Sequence, residues 1–153
     1  MTTIQDKVSL REVTPDNVRD ICELAVRKEQ NSYVVANAIA IAEACLSKED
    51  WYRSIYVDEI PVGLAVVKVQ PDNGRYFLWR FMIDARYQKL NYGHRAMELL
   101  IEHVKTQPNA VEFSTSVVPG DHCPQGFYES LGFHLTGEWD NGEAMMRLRF
   151  ENE

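Results

Sequence analysis

Hydrophobic and polar positions change their period several times along this chain, and each change marks an element. Val8–Val13 reads as a strand. Thr14-Pro15 then looks like a helix N-cap followed by proline at the first helical position. Val18, Ile21, Cys22, Ala25 and Val26 follow at helical spacing. A second helix is predicted over Tyr33–Leu46, with Val35, Ala38, Ile39, Ala42 and Cys45 on its apolar side. After Trp51 the period shortens. Ser54–Val57 and Val62–Val69 are β-rich and separated by Asp58-Glu59-Ile60-Pro61, so they read as a hairpin. Asp72-Asn73-Gly74 is a turn, and Tyr76–Ile83 is a third strand. Tyr92–Lys105 is the clearest helix. Tyr92, Ala96, Leu99, Leu100 and Val104 line one face, and Arg95, Glu98, Glu102 and Lys105 line the other. Val111–Val117 returns as a strand, and Pro124–Leu131 is a short helix. Phe133–Trp139 and Ala144–Phe150 close the chain as a hairpin around Asn141-Gly142. The order β-α-α-β-β-β-α-β-α-β-β describes an α/β (α+β) domain, one unit over 1–153, with a central, mostly antiparallel mixed sheet flanked by helices.

Composition leaves that picture intact and narrows the partners. A chain of 153 residues, 45% of them hydrophobic, can bury one sizeable core. No run of about 18 apolar residues occurs, so no membrane span is expected. Met1–Lys7 lacks a basic region followed by an apolar stretch, which makes the cytoplasm the expected compartment. The net charge of −7 argues against nucleic acid as a main partner, because phosphate binding needs a basic surface. It suits a cationic substrate, although solubility alone accounts for mild acidity. Cys22, Cys45 and Cys123 are scattered, with no Cys-x-x-Cys, so no disulfide framework and no metal site are expected. Cys22 and Cys45 fall on predicted apolar helix faces and read as buried thiols. Cys123 adjoins His122 in a loop, but adjacent residues rarely point at each other.

The informative stretch is Phe81–Arg95, where a strand ends, a turn follows and an amphipathic helix begins. The first turn of a helix offers free N–H groups and a partial positive charge, and such an end binds phosphates well. Gly93 permits close approach to the backbone, and Asn91 tolerates a left-handed conformation. Arg86, Lys89, His94 and Arg95 add positive potential. A helix start that merely carries charged residues fits the spacing too. No dinucleotide or P-loop glycine pattern is present.

The segment Gln88-Lys89-Leu90-Asn91-Tyr92-Gly93 resembles the acetyl-CoA signature of the GNAT superfamily of N-acetyltransferases, Arg/Gln-x-x-Gly-x-Gly/Ala. A second segment, Gly126-Phe127-Tyr128-Glu129-Ser130-Leu131-Gly132-Phe133, resembles the family's tyrosine helix and its Leu-Gly-Phe approach to the next strand. Asn91 stands where the family has its first glycine. The resemblance implies a GNAT-like fold and acetyl-CoA as acetyl-donating cosubstrate. It implies that Phe81, Met82 and Ile83 line the pantetheine arm. The backbone from Gln88 through Lys89, Leu90, Asn91, Tyr92 and Gly93, with His94 and Arg95, would hold the pyrophosphate. Tyr128 would be catalytic, giving a hydrogen bond or proton to the departing sulfur, and a backbone N–H near Ile83 would meet the oxyanion. As a residue in a short helix, Tyr128 also reads as an ordinary core tyrosine. Gly132 reads as a helix C-cap. The strand Tyr76–Ile83 has no Glu to serve as base, and Asp84 lies close to the cofactor loop, so a water relay is expected.

Gln30–Val34, Trp79–Asp84 and Gly137–Glu143 are similar to the bacterial spermine/spermidine acetyltransferases within that superfamily. This implies a small-molecule amine acceptor, with Tyr33, Trp79, Glu138, Asp140 and Glu143 as substrate-binding residues and Trp139, Glu29 and Glu43 as further candidates. Acidic residues beside Asn141-Gly142 also fit a solvated hairpin tip. Other small amines, protein amines and a non-catalytic acyl-CoA sensor are the alternatives. Dimers are common in the family, and the hairpin over 133–150 is a place where a homodimer could pair.

Overall fold

The computed structural model describes residues 6–28, 36–70 and 72–150. Along them run β1 (Val8–Arg11), α1 (Val18–Glu23), α2 (Asn37–Leu46), β2 (Asp50–Val57), β3 (Ile60–Gln70) and β4 (Arg75–Ile83). Then come α3 (Tyr92–Lys105), β5 (Glu112–Val117), α4 (Gln125–Ser130), β6 (His134–Asp140) and β7 (Glu143–Arg149). The strands form one seven-stranded sheet in the order β1-β2-β3-β4-β5-β7-β6. β4 and β5 are parallel and the other neighbours antiparallel, so the α+β class and element order predicted from the pattern are those observed.

Each face of the sheet has its own core. α3 and α4 pack over Val67, Leu78, Ile83 and Phe113, while α1 and α2 cover Leu64, Val66 and Met82. β3 feeds both, because successive side chains of a strand point to opposite faces. The turn before β4 ends at Gly74, whose φ is +66° and where a Cβ would stand 2.1 Å from the Asn109 carbonyl oxygen. Only glycine fits there.

Four local expectations are corrected. α1 starts at Val18, not after Thr14. Thr14–Asn17 instead form a turn, in which the Asn17 side chain accepts from the Thr14 N–H at 2.7 Å and donates to the Tyr56 hydroxyl at 3.0 Å. α2 presents the other side inward: Asn37, Ala40, Ile41 and Ala44 are buried, whereas Ala38, Ile39, Ala42 and Cys45 are exposed. Alanines on both sides made the pattern nearly symmetric. Asn37 resolves it, since its amide donates to the Ile21 carbonyl at 2.8 Å and ties α2 to α1. Cys45 is accordingly exposed, and Cys22 on α1 is exposed as well, where both were expected to be buried. In α3, Met97 and Ile101 complete the buried face and Leu99 turns outward.

One irregularity positions the site. β4 and β5 pair only from Arg75↔Glu112 to Leu78↔Thr115. On the other edge of β4, Val67 opposes Leu78 and Val66 opposes Arg80, leaving Trp79 as the extra residue of a bulge. A bulge bends its strand and sharpens the local twist. Past it, β4 and β5 part.

Candidate active site

The gap between the parted strands is a cavity of about 880 Å³, bounded by the second half of β4, the end of β5, the start of α3, α4 and the β6–β7 tip. The backbone of β4 has a definite orientation here. The Met82 carbonyl lies against Gly63 of β3, and the Asp84 N–H donates to the Val62 carbonyl at 2.7 Å. The Ile83 carbonyl therefore lies on the opposite edge, where the Gln88 amide caps it at 2.8 Å. In an extended strand the N–H of a residue points the same way as its carbonyl, so the Ile83 N–H faces the gap. By alternation Phe81 does too, while Met82 turns its backbone to β3. Of the three strand residues predicted along the donor, two present backbone groups to the gap.

A series of specific bonds leads from β4 into α3. Asp84 accepts from the Ala25 N–H at 2.9 Å with one oxygen, and from the Arg86 N–H and Nε at 3.0 and 2.8 Å with the other. Burial pushes its carboxyl up, but the bonds from Arg86 and Ala25 outweigh this and hold it below the ordinary aspartate value. A 3-10 turn, Ala85–Tyr87, follows. Lys89 and Asn91 then take left-handed backbone conformations, with φ of 62° and 69°. Asn91 adopts without a glycine the conformation that glycine supplies most easily. The Arg95 N–H reaches the Asn91 carbonyl at 3.2 Å, so the helical N–H groups before it have no intrahelical partner. A Cβ at Gly93 would sit 3.5 Å from Ile83 and 3.6 Å from Phe127, so alanine would fit and anything larger would fill the cavity.

Tyr128 faces this arrangement from α4. The helix closes in a Schellman motif, with the Phe133 N–H bonded to the Tyr128 carbonyl at 3.1 Å and the Gly132 N–H to the Glu129 carbonyl at 3.0 Å. Gly132, at φ +100°, is the expected C-cap glycine. Phe127 and Phe133 meet the Tyr128 ring edge-on, with centroids at 5.2 and 5.7 Å. Burial pushes the Tyr128 phenol up to about 12, against a hydrogen bond with Thr115 that lowers it.

Of the residues predicted to hold the donor, Phe81, Met82, Ile83 and Gln88 line the cavity, as do Lys89, Asn91, Gly93 and His94. Leu90, Tyr92 and Arg95 do not. Leu90 is exposed. The Tyr92 hydroxyl donates to the Asp6 carboxylate at 2.5 Å, and the Arg95 guanidinium donates to the Asp6 carbonyl. These two side chains fasten the start of the chain to α3 and add no charge to the cavity. His94 pairs with Glu98 at 3.0 Å. Of the residues predicted for the acceptor, Trp79, Asp140 and Glu143 line the cavity, whereas Glu138 and Trp139 stand outside its lining. Tyr33 and Glu29 lie outside the described residues.

Trp79 is already engaged. Lys68 Nζ is 3.8 Å and the Arg80 guanidinium 4.3 Å from its ring centroid. Arg80 also lies 3.6 Å from Glu43, too far for a hydrogen bond, and leaves Glu43 Oε1 and its own Nε buried without a hydrogen-bond partner. Sequence reasoning overlooked Arg80, Thr115, His122 and Phe127, all of which line the cavity. Phe127 sits inside the tyrosine motif, Arg80 inside the segment Trp79–Asp84 and His122 beside Cys123, so adjacency could have found them; Thr115 carries no local signal.

Residues 18–133 match the family model described as acetyltransferase (GNAT) family. The chain is 30% identical over 149 residues to the spermine/spermidine N(1)-acetyltransferase of Bacillus subtilis (strain 168), covering 91% of this chain and 96% of that one. Its fold is similar to the PaiA N-acetyltransferase of Thermoplasma acidophilum solved with coenzyme A, at TM-score 0.72 and 13% identity over 94% of this chain and 99% of that one. It is also similar to an aminoglycoside 6′-N-acetyltransferase solved with coenzyme A, at TM-score 0.74 and 16% identity over 96% and 98% of the two chains.

Proposed function

This chain belongs to the acetyltransferase (GNAT) family and carries an acetyl group from acetyl-coenzyme A to an amine, and on that premise we propose that the amine is a polyamine such as spermine or spermidine. The observation that carries the choice is the relative of that specificity, which aligns over nearly the whole of both chains. Asp140 and Glu143 at the cavity support it, because a spaced polycation is recognised by carboxylates.

In this reading the free N–H groups at the start of α3, with Lys89 and His94 beside them, hold the pyrophosphate of acetyl-CoA. The gap-facing backbone of Phe81 and Ile83 lies along the pantetheine arm, and the Ile83 N–H meets the oxyanion. An alkylammonium near pKa 10.4 must first lose a proton, at about 4 kcal/mol at neutral pH. Asp84 is not the base, since both its oxygens are committed to Ala25 and Arg86. A water relay ending on Asp140 or Glu143 accepts the proton. The neutral nitrogen attacks the thioester directly, Tyr128 gives a hydrogen bond or proton to the departing sulfur, and the second proton, shed by the nitrogen as the amide forms, makes good any proton that Tyr128 gave up.

A panel of amines incubated with acetyl-CoA and followed by thiol release tests the choice. Spermidine and spermine are expected to be turned over with the highest kcat/KM. Turnover of another amine, with all polyamines inert, would refute the polyamine reading and leave amine acetylation standing.

A further inference from the structure

Asp84 reaches beyond the loop into α3. It is 4% exposed, and its two oxygens serve different segments of the chain. Oδ1 accepts from the Arg86 N–H and Nε at 3.0 and 2.8 Å, just ahead of Gln88, Lys89 and Asn91. Oδ2 accepts from the Ala25 N–H at 2.9 Å, and the Ala85 N–H donates in turn to the Ala25 carbonyl at 2.8 Å. Both backbone polar groups of Ala25 thus go to residues 84 and 85. Ala25 follows α1, whose C-cap, Leu24, is already extended. Val26 comes next. It lines the cavity and packs against the core under α1 and α2 that holds Met82, on the opposite face of the sheet from Ile83, Phe127 and Tyr128. One carboxylate therefore joins the loop into α3 to a cavity wall on the other side of the sheet.

We propose that Asp84 is a positioning residue for both substrates: through Arg86 it sets the loop that holds acetyl-CoA, and through Ala25 it sets the Val26 wall against which the carbon chain of the amine packs. This rests on the reading of the site given above. For folding alone a neutral group could fasten two loops, since taking a carboxylate out of water has a cost that its pairing does little more than offset. A carboxylate differs from its amide in one respect that matters here. Both its oxygens accept, whereas an amide accepts at one end and donates at the other. Asparagine at 84 can therefore satisfy one side only. Its oxygen stays with Arg86, where two donors converge and one is charged, and its NH2 turns to the Ala25 N–H. Two donors then face each other and Ala25 is released. The Val26 wall loses its fixed place, while the donor loop keeps its own.

Acetyl-CoA affinity by calorimetry and steady-state constants for the best amine of the panel test this in Asp84→Asn, Asp84→Ala, Val26→Ala and the Val26→Ala/Asp84→Asn double variant. Asp84→Asn is expected to raise the KM for the amine about 5-fold, the size of one hydrogen bond, and to leave acetyl-CoA affinity within about 2-fold. Asp84→Ala, which frees both sides, should weaken both about 5-fold. With Val26 cut back to alanine, Asp84→Asn should raise the amine KM no further. A kcat that falls with the folded fraction while both constants hold marks a purely structural carboxylate and overturns the proposal. So does an amine KM in Asp84→Asn, or an acetyl-CoA affinity in Asp84→Ala, equal to the parent's, and so does a rise in amine KM that is the same with and without the Val26 side chain. If a thermal melt shows that the alanine variant does not fold, the asparagine variant and its double decide alone. Gly93→Leu is the control for the reading beneath, since its side chain fills the cavity at the start of α3. Acetyl-CoA affinity equal to the parent's in that variant removes the placement of acetyl-CoA on which the proposal rests.

Discussion

The two ends of the cavity are built on opposite plans. At the donor end, the chain between β4 and α3 is held at nearly every step: Asp84 by Ala25 and Arg86, Gln88 on the Ile83 carbonyl, and Lys89 and Asn91 in left-handed conformations. The acceptor end is assembled from loose pieces. Trp79 comes from the bulge of β4, and Asp140 stands exposed at the β6–β7 tip. A ligand gripped by backbone groups needs a fixed conformation and few particular side chains. A ligand read by side chains from separate segments needs the right residues on a tolerant scaffold. In the proposed reading, donor binding is therefore written in local backbone geometry, and acceptor choice in long-range placement.

The sharpest way to break this contrast is to remove the chemistry of the donor end while leaving its frame. Tyr128→Phe deletes one oxygen and keeps the edge-on packing with Phe127 and Phe133. Its kcat is expected to fall about 100-fold or more, with little change in the KM for acetyl-CoA. Thiol-release kinetics measure both, and a variant as fast as the parent takes Tyr128 out of the mechanism.

The frame itself is tested next, through Asp84. Its carboxyl is held below the ordinary value of 3.8, so its contribution to stability is complete above that value and is lost as pH falls through the lower, folded-state value. Asp84→Asn is expected to cost about 2 kcal/mol at neutral pH, as removal of a buried charged acceptor does. Urea midpoints from pH 7 downward should show the two proteins converging below about pH 4. Curves that stay parallel would mean that the charge of Asp84 is not what secures the junction.

Most of the fold was legible because the long strands are runs rich in β-branched and aromatic residues, and the turns at Asp58-Glu59, Gly74 and Asn141-Gly142 announce themselves. The inward face of α2 was not, since alanine is small enough for either side and a single buried amide, Asn37, decides it. The loop into α3 was legible as a backbone feature, a left-handed Asn91 before an open helix end. The side chains of Arg95 and Tyr92 turn to a distant partner, Asp6, which no local pattern announces. The parting of β4 from β5 had no local signal. It follows from a bulge opposite Val66 and Val67 that appears only once the strands are paired. Thr115 lines the cavity through that event alone.

Asn91 sharpens the donor side of the comparison. A β-branched residue at its φ of 69° is disfavoured by roughly 1–2 kcal/mol, whereas glycine is not. Asn91→Val is expected to weaken acetyl-CoA binding about 10-fold by calorimetry, and Asn91→Gly to bind at least as well as the parent. Equal affinity in the valine variant would show that the loop is held by its neighbours and not by the residue at 91.

The smallest effect belongs to the acceptor end, where the contrast is most exposed to failure. Asp140→Asn and Glu143→Gln should each raise the KM for spermidine about 3-fold at low salt, because a solvated charge is worth less than about 1 kcal/mol. The effect should shrink as salt screens it, and the KM for acetyl-CoA should not move. A monoamine should feel the changes less than a polyamine, since it lacks the distant ammonium that the tip would meet. If both variants are silent with spermidine still turned over, the tip is solvated surface and the amine is read elsewhere. The face around Trp79, where Arg80 and Glu43 hold each other at 3.6 Å with polar atoms unsatisfied, is then the place where a substrate ammonium has something to gain. There Glu43→Gln would raise the KM for spermidine where Glu143→Gln had not.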